Sequence, residues 1–435
     1  ERDDVADLAR QYAYLEDVES ELSLAQRWVH GRVTDVLDDL SARVGAEADS
    51  RFYAELLAAI AHESKSAREV ARESQVLLKN EGDVLPVEDG QSVALVGALA
   101  DSQTDMLGAW RAEGEPEDVT TLRTTLSERV DALTYAAGCD RDGSVSDEQL
   151  AAAVDAVEAA DVAVVAVGER YDQTGEAASR AHLDLPGEQR ELLEALVETD
   201  TPVAAVLFNG RPLAIEWTAE HVPAILEAWF PGVEAGPALA DVLLGDCDPS
   251  GRLPMSFPVT EGQVPIYYNR LRTGRPAEER DVDLTEPPAH DGEKYMSRYL
   301  DVPNAPLYAF GHGESYTDFA YTDLSLGAEA IEHGETLAVE TTVENTGDRT
   351  GTEVVQLYVE DLVGSRARPV KELAGFEKVD LEPGEAATVT FELTTEDLAF
   401  WTAEEEYAAE PGAFEVMVGQ AADDVVHTEP FELVA

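Results

Sequence analysis

Residues 162–186 read VAVVAVGERYDQTGEAASRAHLDLP, and this stretch decides the fold that the sequence predicts. Its first residues, Val162–Val167, are all apolar, which is typical of a strand buried on both faces of a parallel sheet. A polar, glycine-containing loop follows, and the next apolar periodicity predicts a helix over Gly187–Thr199. Because ligands gather beyond the carboxyl ends of parallel strands, we expect the loop Gly168–Leu185 to carry a functional site.

The same alternation of short apolar strands and helices extends from Ser92 to about Gly245. The predicted strands are Val93–Val96, Leu133–Ala136, Val162–Val167, Val203–Phe208 and Ala224–Trp229. The predicted helices are Thr121–Val130, Asp147–Ala160, Gly187–Thr199 and Ala235–Leu244. This pattern predicts a mostly parallel sheet with helices on both faces, an α/β sandwich. Three loops should then meet at its ligand-binding edge: Gly97–Gly114, Gly168–Leu185 and Asn209–Leu213.

The regions on either side have different patterns. Residues 1 to about 75 show apolar residues at helical spacing, and residues from Asp248 to about Tyr316 read as a long ordered connector. From Phe319 onward the period becomes two, which indicates an antiparallel β-sandwich. Its predicted strands are Leu337–Val343, Val354–Val359, Ala387–Leu393 and Ala413–Val418. We therefore predict a helical segment (1–63), an α/β domain (64–260), a connector (261–317) and a β-sandwich domain (318–435).

The charge of the chain is extreme. Ninety Asp and Glu oppose thirty Lys and Arg, giving a formal net charge of −60. Long apolar periodic segments argue against disorder, so we expect a folded protein whose self-repulsion is screened by concentrated salt. This predicts a halophilic source and disfavours binding to nucleic acid or to an anionic membrane. The compartment stays open.

Metal, disulfide and membrane signals are weak. Cys139 and Cys247 are too few for a disulfide framework or a cysteine-based zinc site. His182 has no clustered ligand residues around it, so we predict neither a metal site nor a cofactor. No apolar run approaches membrane-spanning length, and no signal peptide is visible.

Several further segments share one family pattern with the 167–186 loop. They are Arg68–Asn80 (REVARESQVLLKN), Asn209–Pro212 (NGRP), Trp229–Gly232 (WFPG), Asp248–Pro258 (DPSGRLPMSFP), Tyr308–Thr317 (YAFGHGESYT) and Pro369–Lys378 (PVKELAGFEK). In order, and over roughly residues 64–435, they resemble the β-glucosidase-type enzymes of glycoside hydrolase family 3. The resemblance implies the α/β-sandwich domain of that family followed by its fibronectin type III-like domain.

As the resemblance implies, such enzymes are retaining exo-glycosidases that act on β-linked sugars. Retention needs two carboxyl groups about 5 Å apart. In the family the nucleophile is an Asp of a (β/α)₈ barrel, usually within a Ser-Asp-Trp segment. No Ser-Asp-Trp occurs here, and too few residues precede residue 64 for a barrel of about 250. We therefore expect this chain to correspond to the back half of the enzyme, with no barrel of its own.

Glu176, in the segment Gly175–Arg180, is the acid/base residue that the resemblance implies. A loop carboxyl group at the edge of a parallel sheet is well placed for proton transfer. On composition alone, a loop Glu in so acidic a chain is a solvated surface charge, and this alternative stays open. Glu169 is the rival carboxylate, and we expect it to brace the loop through hydrogen bonds.

Trp110 is the expected substrate-binding residue. The face of an indole suits stacking on a sugar, and the family places an aromatic residue at this motif in the leaving-group subsite. The alternative is an ordinary core tryptophan, the role that we expect for Trp229. Arg180 and Asp172 are expected to form an ion pair that shapes the Glu176 loop. Asn209 is expected to serve turn geometry.

Two functions follow from these observations. The first is the C-terminal portion of a β-glucosidase-type hydrolase, with Glu176 as acid/base and its substrate a β-linked oligosaccharide or glucoside. Its nucleophile would come from a barrel that lies upstream or in a separate chain. The alternative is a non-catalytic carbohydrate-binding or assembly module that has lost the barrel.

Overall fold

The structure is a computed structural model that describes residues 67–111, 114–272, 274–276 and 295–434. The helices predicted over residues 1–63 lie outside the described residues. Residues 67–73 are helical and lead directly into the first strand. Within the described ranges no helix is both long and apolar enough to cross a bilayer.

A six-stranded sheet forms the first part of the fold. Its strands are β1 (Val76–Asn80), β2 (Val93–Val96), β3 (Leu133–Ala136), β4 (Val162–Gly168), β5 (Val203–Phe208) and β6 (Ala224–Glu227). Their order is β1-β6-β5-β4-β2-β3, and every pairing is parallel except that of β1 with β6. The prediction of a mostly parallel sheet is confirmed. β6 ends before Trp229, because that residue adopts a positive φ of 55°.

Helices cover both faces of this sheet. They are α1 (Gln103–Met106), α2 (Leu122–Arg129), α3 (Asp147–Glu158), α4 (Gln189–Val197), α5 (Glu216–His221) and α6 (Ala235–Leu243). Ser146 caps α3 by accepting from the backbone N–H of Gln149, whose side chain returns the bond. Neighbouring residues of one strand alternate between two buried apolar layers, with Val164 in one layer and Val165 in the other. The predicted α/β sandwich is confirmed.

The second part of the fold is entirely β. Its strands are β7 (Phe319–Leu326), β8 (Ala330–Glu332), β9 (Thr336–Asn345), β10 (Gly351–Asp361), β11 (Glu372–Leu381), β12 (Ala386–Thr394), β13 (Phe400–Trp401), β14 (Tyr407–Ala408), β15 (Gly412–Gly419) and β16 (Val425–Val434). A five-stranded sheet (β11-β10-β15-β16-β8) and a three-stranded sheet (β12-β9-β7) enclose one core, which includes Val355, Phe391 and Val416. β13 and β14 form a separate two-stranded hairpin.

The segment between the two parts packs against both of them. Phe257 bridges to Tyr308, and Glu314 bridges back to Leu77 of β1. Arg252 forms a buried ion pair with Glu353 of β10, with Nη2 and Oε2 2.9 Å apart. These contacts hold the β-sandwich against the α/β part through buried polar groups.

Candidate active site

The loop after β4 leaves the sheet at a fixed position. Gly168 has a φ of 133°, and a Cβ there would lie 2.0 Å from the carbonyl oxygen of Phe208, so only glycine fits. The amide side chain of Gln189, at the start of α4, accepts from the Gly168 N–H at 2.6 Å and donates to its carbonyl at 2.9 Å. The next residue, Glu169, is thereby directed into the protein.

Glu169 is fully buried and braces the loop, as predicted. Arg180 Nη1 donates to its Oε1 at 3.1 Å, and Arg211 Nε lies 3.1 Å from the same oxygen. The prediction that Arg180 pairs with Asp172 is wrong, because Asp172 pairs with its neighbour Arg170 at 2.9 Å. Glu169 has lost its water entirely, whereas Asp172 remains half-exposed, so the guanidinium of Arg180 stabilises the buried carboxylate more strongly.

Arg211 holds the Glu176 turn from both sides. Its Nη2 donates to the backbone carbonyls of Gln173 and Ala178, which flank Glu176. Ala177 has a φ of 59°, so the chain turns sharply at this point. Glu176 is therefore an exposed carboxyl group at the tip of a turn that the partly buried cation of Arg211 anchors. The sequence reasoning missed Arg211, although a cation in a tight turn after a buried strand was a usable signal.

The loop that carries Trp110 lies against the Glu176 turn. Trp110 is 75% exposed, which excludes the core alternative. A Cβ on Gly175 would lie 2.7 Å from Ala109 Cβ and 3.5 Å from Trp110 Nε1. The structure thus brings together the two loops on which the sequence analysis placed the acid/base and substrate-binding residues.

A buried carboxylate ties these two loops to each other. Asp105 of α1 accepts from the backbone N–H of Tyr171 at 3.1 Å. Arg141 donates to both of its oxygens at 2.9 Å. Because Asp105 belongs to the segment 97–114 that carries Trp110 and Tyr171 to the Glu176 loop, this hydrogen bond joins the two loops.

A third buried acidic side chain of this region, Glu227, lies at the end of β6. The Trp229 N–H donates to its Oε1 at 2.9 Å, and Asn209 Nδ2 donates to its Oε2 at 3.0 Å. Asn209 also donates to the Arg211 carbonyl at 2.9 Å, so it serves turn geometry as predicted and holds Glu227 as well. Burial, the largest cause, and the nearby charge of Glu169 together raise the pKa of Glu227 to about 8. The sequence analysis missed Glu227, for which a lone Glu closing an apolar strand was the signal.

Trp229 is half-buried rather than fully buried. Its ring packs against Phe257, with centroids 6.2 Å apart, at the margin of the apolar layer that contains Val165. The predicted core role therefore holds for one side of the ring. The backbone N–H of Trp229 donates a hydrogen bond to the carboxyl group of Glu227.

We expect the Glu227 carboxyl group to make stability depend on pH. The native state keeps its proton up to about pH 8, whereas the unfolded chain releases it near the ordinary value of 4.5. The native state binds more protons in this window, so stability falls as pH rises from about 4.5 to about 8 and levels off above. Glu227→Gln should remove this component, which is on the order of 5 kcal/mol at about 1.4 kcal/mol per pKa unit.

Denaturant unfolding of the wild type and Glu227→Gln across this pH range measures the component. As pH rises, the unfolding free energy of the wild type should fall relative to that of Glu227→Gln. Other titrating groups cancel in the difference between the two proteins. A constant difference from pH 4.5 to 8 would contradict a buried neutral carboxyl group at this position.

The described ranges contain no group of three His, Cys, Asp or Glu side chains able to hold a metal ion. His182 is exposed, and its Nδ1 lies 3.0 Å from Glu261 Oε1. The chemistry available at this edge is proton transfer by carboxyl groups together with stacking on an exposed indole.

Comparisons with known proteins agree with this architecture. Residues 75–316 match the model described as glycosyl hydrolase family 3 C-terminal domain, and residues 353–422 match a fibronectin type III-like domain. A third model, described as Cmi2, C-terminal, matches residues 1–86, of which the structure describes only those from residue 67 onward.

Relatives and solved structures match over most of the chain. A periplasmic beta-glucosidase of Salmonella typhimurium is 42% identical over 377 residues, which cover 82% of this chain and 48% of that protein. A beta-xylosidase of Formosa agariphila is 38% identical over 82% of this chain and 49% of its own length. The structure of a beta-glucosidase from Listeria innocua in complex with glucose is 42% identical, with a TM-score of 0.77, over 89% of this chain and 50% of that one.

The chain spans about half the length of the curated relatives it matches. The first of the three family models covers more than half of the residues of the chain. The chain belongs to glycoside hydrolase family 3.

Proposed function

We propose that this chain supplies the acid/base half of a retaining β-glycosidase. Glu176 is the proton donor and acceptor, and Trp110 stacks on the sugar in the leaving-group subsite. The nucleophile is a carboxylate of a barrel domain of the same family. β-Glucosides are the proposed substrate class, because proteins that match most of this chain are named as beta-glucosidases.

One observation carries this proposal. Glu176 stands at the carboxyl edge of the sheet, on a turn whose two flanking carbonyls accept hydrogen bonds from the partly buried guanidinium of Arg211. A solvated surface glutamate needs no such frame, whereas a proton-transfer group must be held in a fixed geometry. The adjacent exposed indole of Trp110 adds a flat apolar surface for a sugar ring.

The chemistry divides between two domains. Protonated Glu176 gives its proton to the departing glycosidic oxygen while the barrel carboxylate attacks the anomeric carbon. The resulting Glu176 carboxylate then removes a proton from the water that releases the covalent glycosyl intermediate. The two carboxyl groups must lie about 5 Å apart, so the barrel docks over the edge that carries Glu176 and Trp110.

Reconstitution tests the proposal. The chain by itself should not hydrolyse an aryl β-glucoside, whereas the chain joined to or mixed with a family barrel should. The intact mass and N-terminal sequence of the native protein show which arrangement occurs. If no barrel restores hydrolysis and the chain still binds oligosaccharide, it is a carbohydrate-binding module. Hydrolysis by the chain alone would mean that a nucleophile lies within it.

We also propose that the protein works in concentrated salt, because its net charge is −60. Self-repulsion between carboxylates weakens when salt screens it, with a Debye length of about 3 Å at 1 M. The melting temperature should therefore rise from dilute buffer to multimolar potassium chloride. A scan by circular dichroism measures this rise, and equal melting temperatures in the two conditions would contradict a halophilic adaptation.

A further inference from the structure

The hairpin of β13 and β14 presents two aromatic rings to solvent. Trp401 and Tyr407 are directly paired across the two strands, and their ring centroids lie 5.7 Å apart. Trp401 is 65% exposed and Tyr407 is 62% exposed. Single exposed apolar residues are ordinary, but two large adjacent rings on paired strands form a surface that a ligand can recognise.

The backbone under the two rings is held in place by buried contacts. Phe400, next to Trp401, is buried, and the Arg368 guanidinium lies 4.1 Å from its ring centroid. Arg366 Nε donates to the carbonyl of buried Thr402 at 2.8 Å. The Thr402 hydroxyl accepts from the Glu404 and Glu406 N–H groups at 3.3 and 3.4 Å. A ring pair on such a frame binds a ligand with little loss of conformational entropy.

The size of the pair argues for a small or thin ligand. Two rings of about 150–250 Å² each, roughly two-thirds exposed, offer about 200–330 Å². A stable protein interface needs about 800 Å² from each partner. The pair alone is therefore too small to hold a folded protein, and its area suits one or two sugar rings.

The charges beside the rings select the chemistry of the ligand. The hairpin turn carries Glu404, Glu405 and Glu406, all exposed. These carboxylates repel nucleic acid and anionic polysaccharides, and they accept hydrogen bonds from hydroxyl groups. A neutral glycan has hydroxyl donors for the carboxylates and apolar C–H faces for the rings.

We propose that Trp401 and Tyr407 form a surface binding site for a neutral glycan chain, on the β-sandwich rather than on the Glu176 loop. The site would hold the polymer while its end is processed elsewhere. The choice of a β-glucan as the glycan rests on the proposed function, but the site itself requires neither hydrolysis nor a barrel.

Calorimetric titration of the whole chain with a soluble β-glucan hexasaccharide, in multimolar potassium chloride, tests the site. The wild type should bind, and Trp401→Ala/Tyr407→Ala should lower the association constant about tenfold or more, as expected for the loss of two stacking contacts. Phe376→Ala is the matched control, since it removes another exposed aromatic ring, 60% exposed, from β11 of the same β-sandwich, and it should retain most of the binding. Neither measurement depends on catalysis, so failure of the proposed enzymatic role leaves this test intact.

Three results would overturn the site. The first is that the wild type does not bind the hexasaccharide. The second is that the double variant binds as well as the wild type but melts at a lower temperature, which would mean that the two rings only stabilise the hairpin. The third is a wild-type dimer in sedimentation equilibrium that the double variant loses, which would assign the rings to an interface between copies. If the double variant does not fold, Trp401→Phe, which keeps a smaller ring, should fold and weaken binding about two- to fivefold. Full wild-type affinity in Trp401→Phe would then count against stacking.

Discussion

Glu176→Gln, in this chain combined with its barrel, should lower hydrolysis of an alkyl β-glucoside by about 10²- to 10⁴-fold, the usual contribution of general acid–base catalysis. The amide keeps the shape of the side chain but transfers no proton. The rate of the first step, in which the glycosidic bond breaks, should fall less with a dinitrophenyl glucoside, because that leaving group departs without protonation. Azide should restore turnover with this substrate, since it attacks the glycosyl intermediate without a general base.

Asp172→Asn is the matched control for this substitution. Asp172 lies on the same loop and is exposed, and its only ion pair among the described residues is with Arg170. It should keep activity within about twofold, as expected for an exposed surface pair. Equal losses in the two variants, or wild-type activity in Glu176→Gln, would remove Glu176 from the acid/base role.

Arg211→Ala should be one of the most destabilising single substitutions in this part of the chain, lowering the free energy of unfolding by about 3–5 kcal/mol. The substitution leaves buried Glu169 with only Arg180 as its ion-pair partner in the described ranges. The carbonyls of Gln173 and Ala178 also lose their donor. Urea unfolding in concentrated salt measures the loss.

Arg170→Ala provides the comparison for Arg211→Ala. Arg170 also pairs with a carboxylate at 2.9 Å, but that partner is half-exposed, so its loss should cost about 1 kcal/mol or less. Arg211→Lys should fall between the two, because an ammonium keeps the charge but not the planar set of donors. If Arg211→Ala and Arg170→Ala are equally stable, Glu169 does not depend on Arg211.

The sequence predicted the buried strands well because burial on both faces leaves a continuous apolar run, as in β4 and β5. The strands that it did not locate are β1, at the edge of the first sheet, and β7, β8, β11, β13, β14 and β16 of the second part of the fold. In β16, His427 and Glu429 occupy positions on the same face as buried Phe431 and Leu433, and these polar residues interrupt the alternation on which recognition depends. Such strands form because neighbouring strands offer hydrogen bonds, and local pattern carries little of that information.

The site was predictable to the level of its loops, but not of its ion pairs. Glu169 was expected to brace the loop, yet its partners Arg180 and Arg211 come from different segments of the chain. Their choice depends on which carboxylate loses its water, a property of the folded state. Glu227 was missed for the same reason, since its neighbour Asn209 directly follows the adjacent strand β5.

The anchor of the Glu176 turn has a consequence for how this protein can change over time. Glu169, Arg180 and Arg211 all belong to one 43-residue stretch of the chain, residues 169–211, and no other domain contributes to their contacts with one another. The turn that carries Glu176 is therefore anchored within the α/β part of this chain. Under the proposed function, a barrel with a different pocket could be substituted without moving Glu176, so that sugar preference and proton transfer could evolve independently.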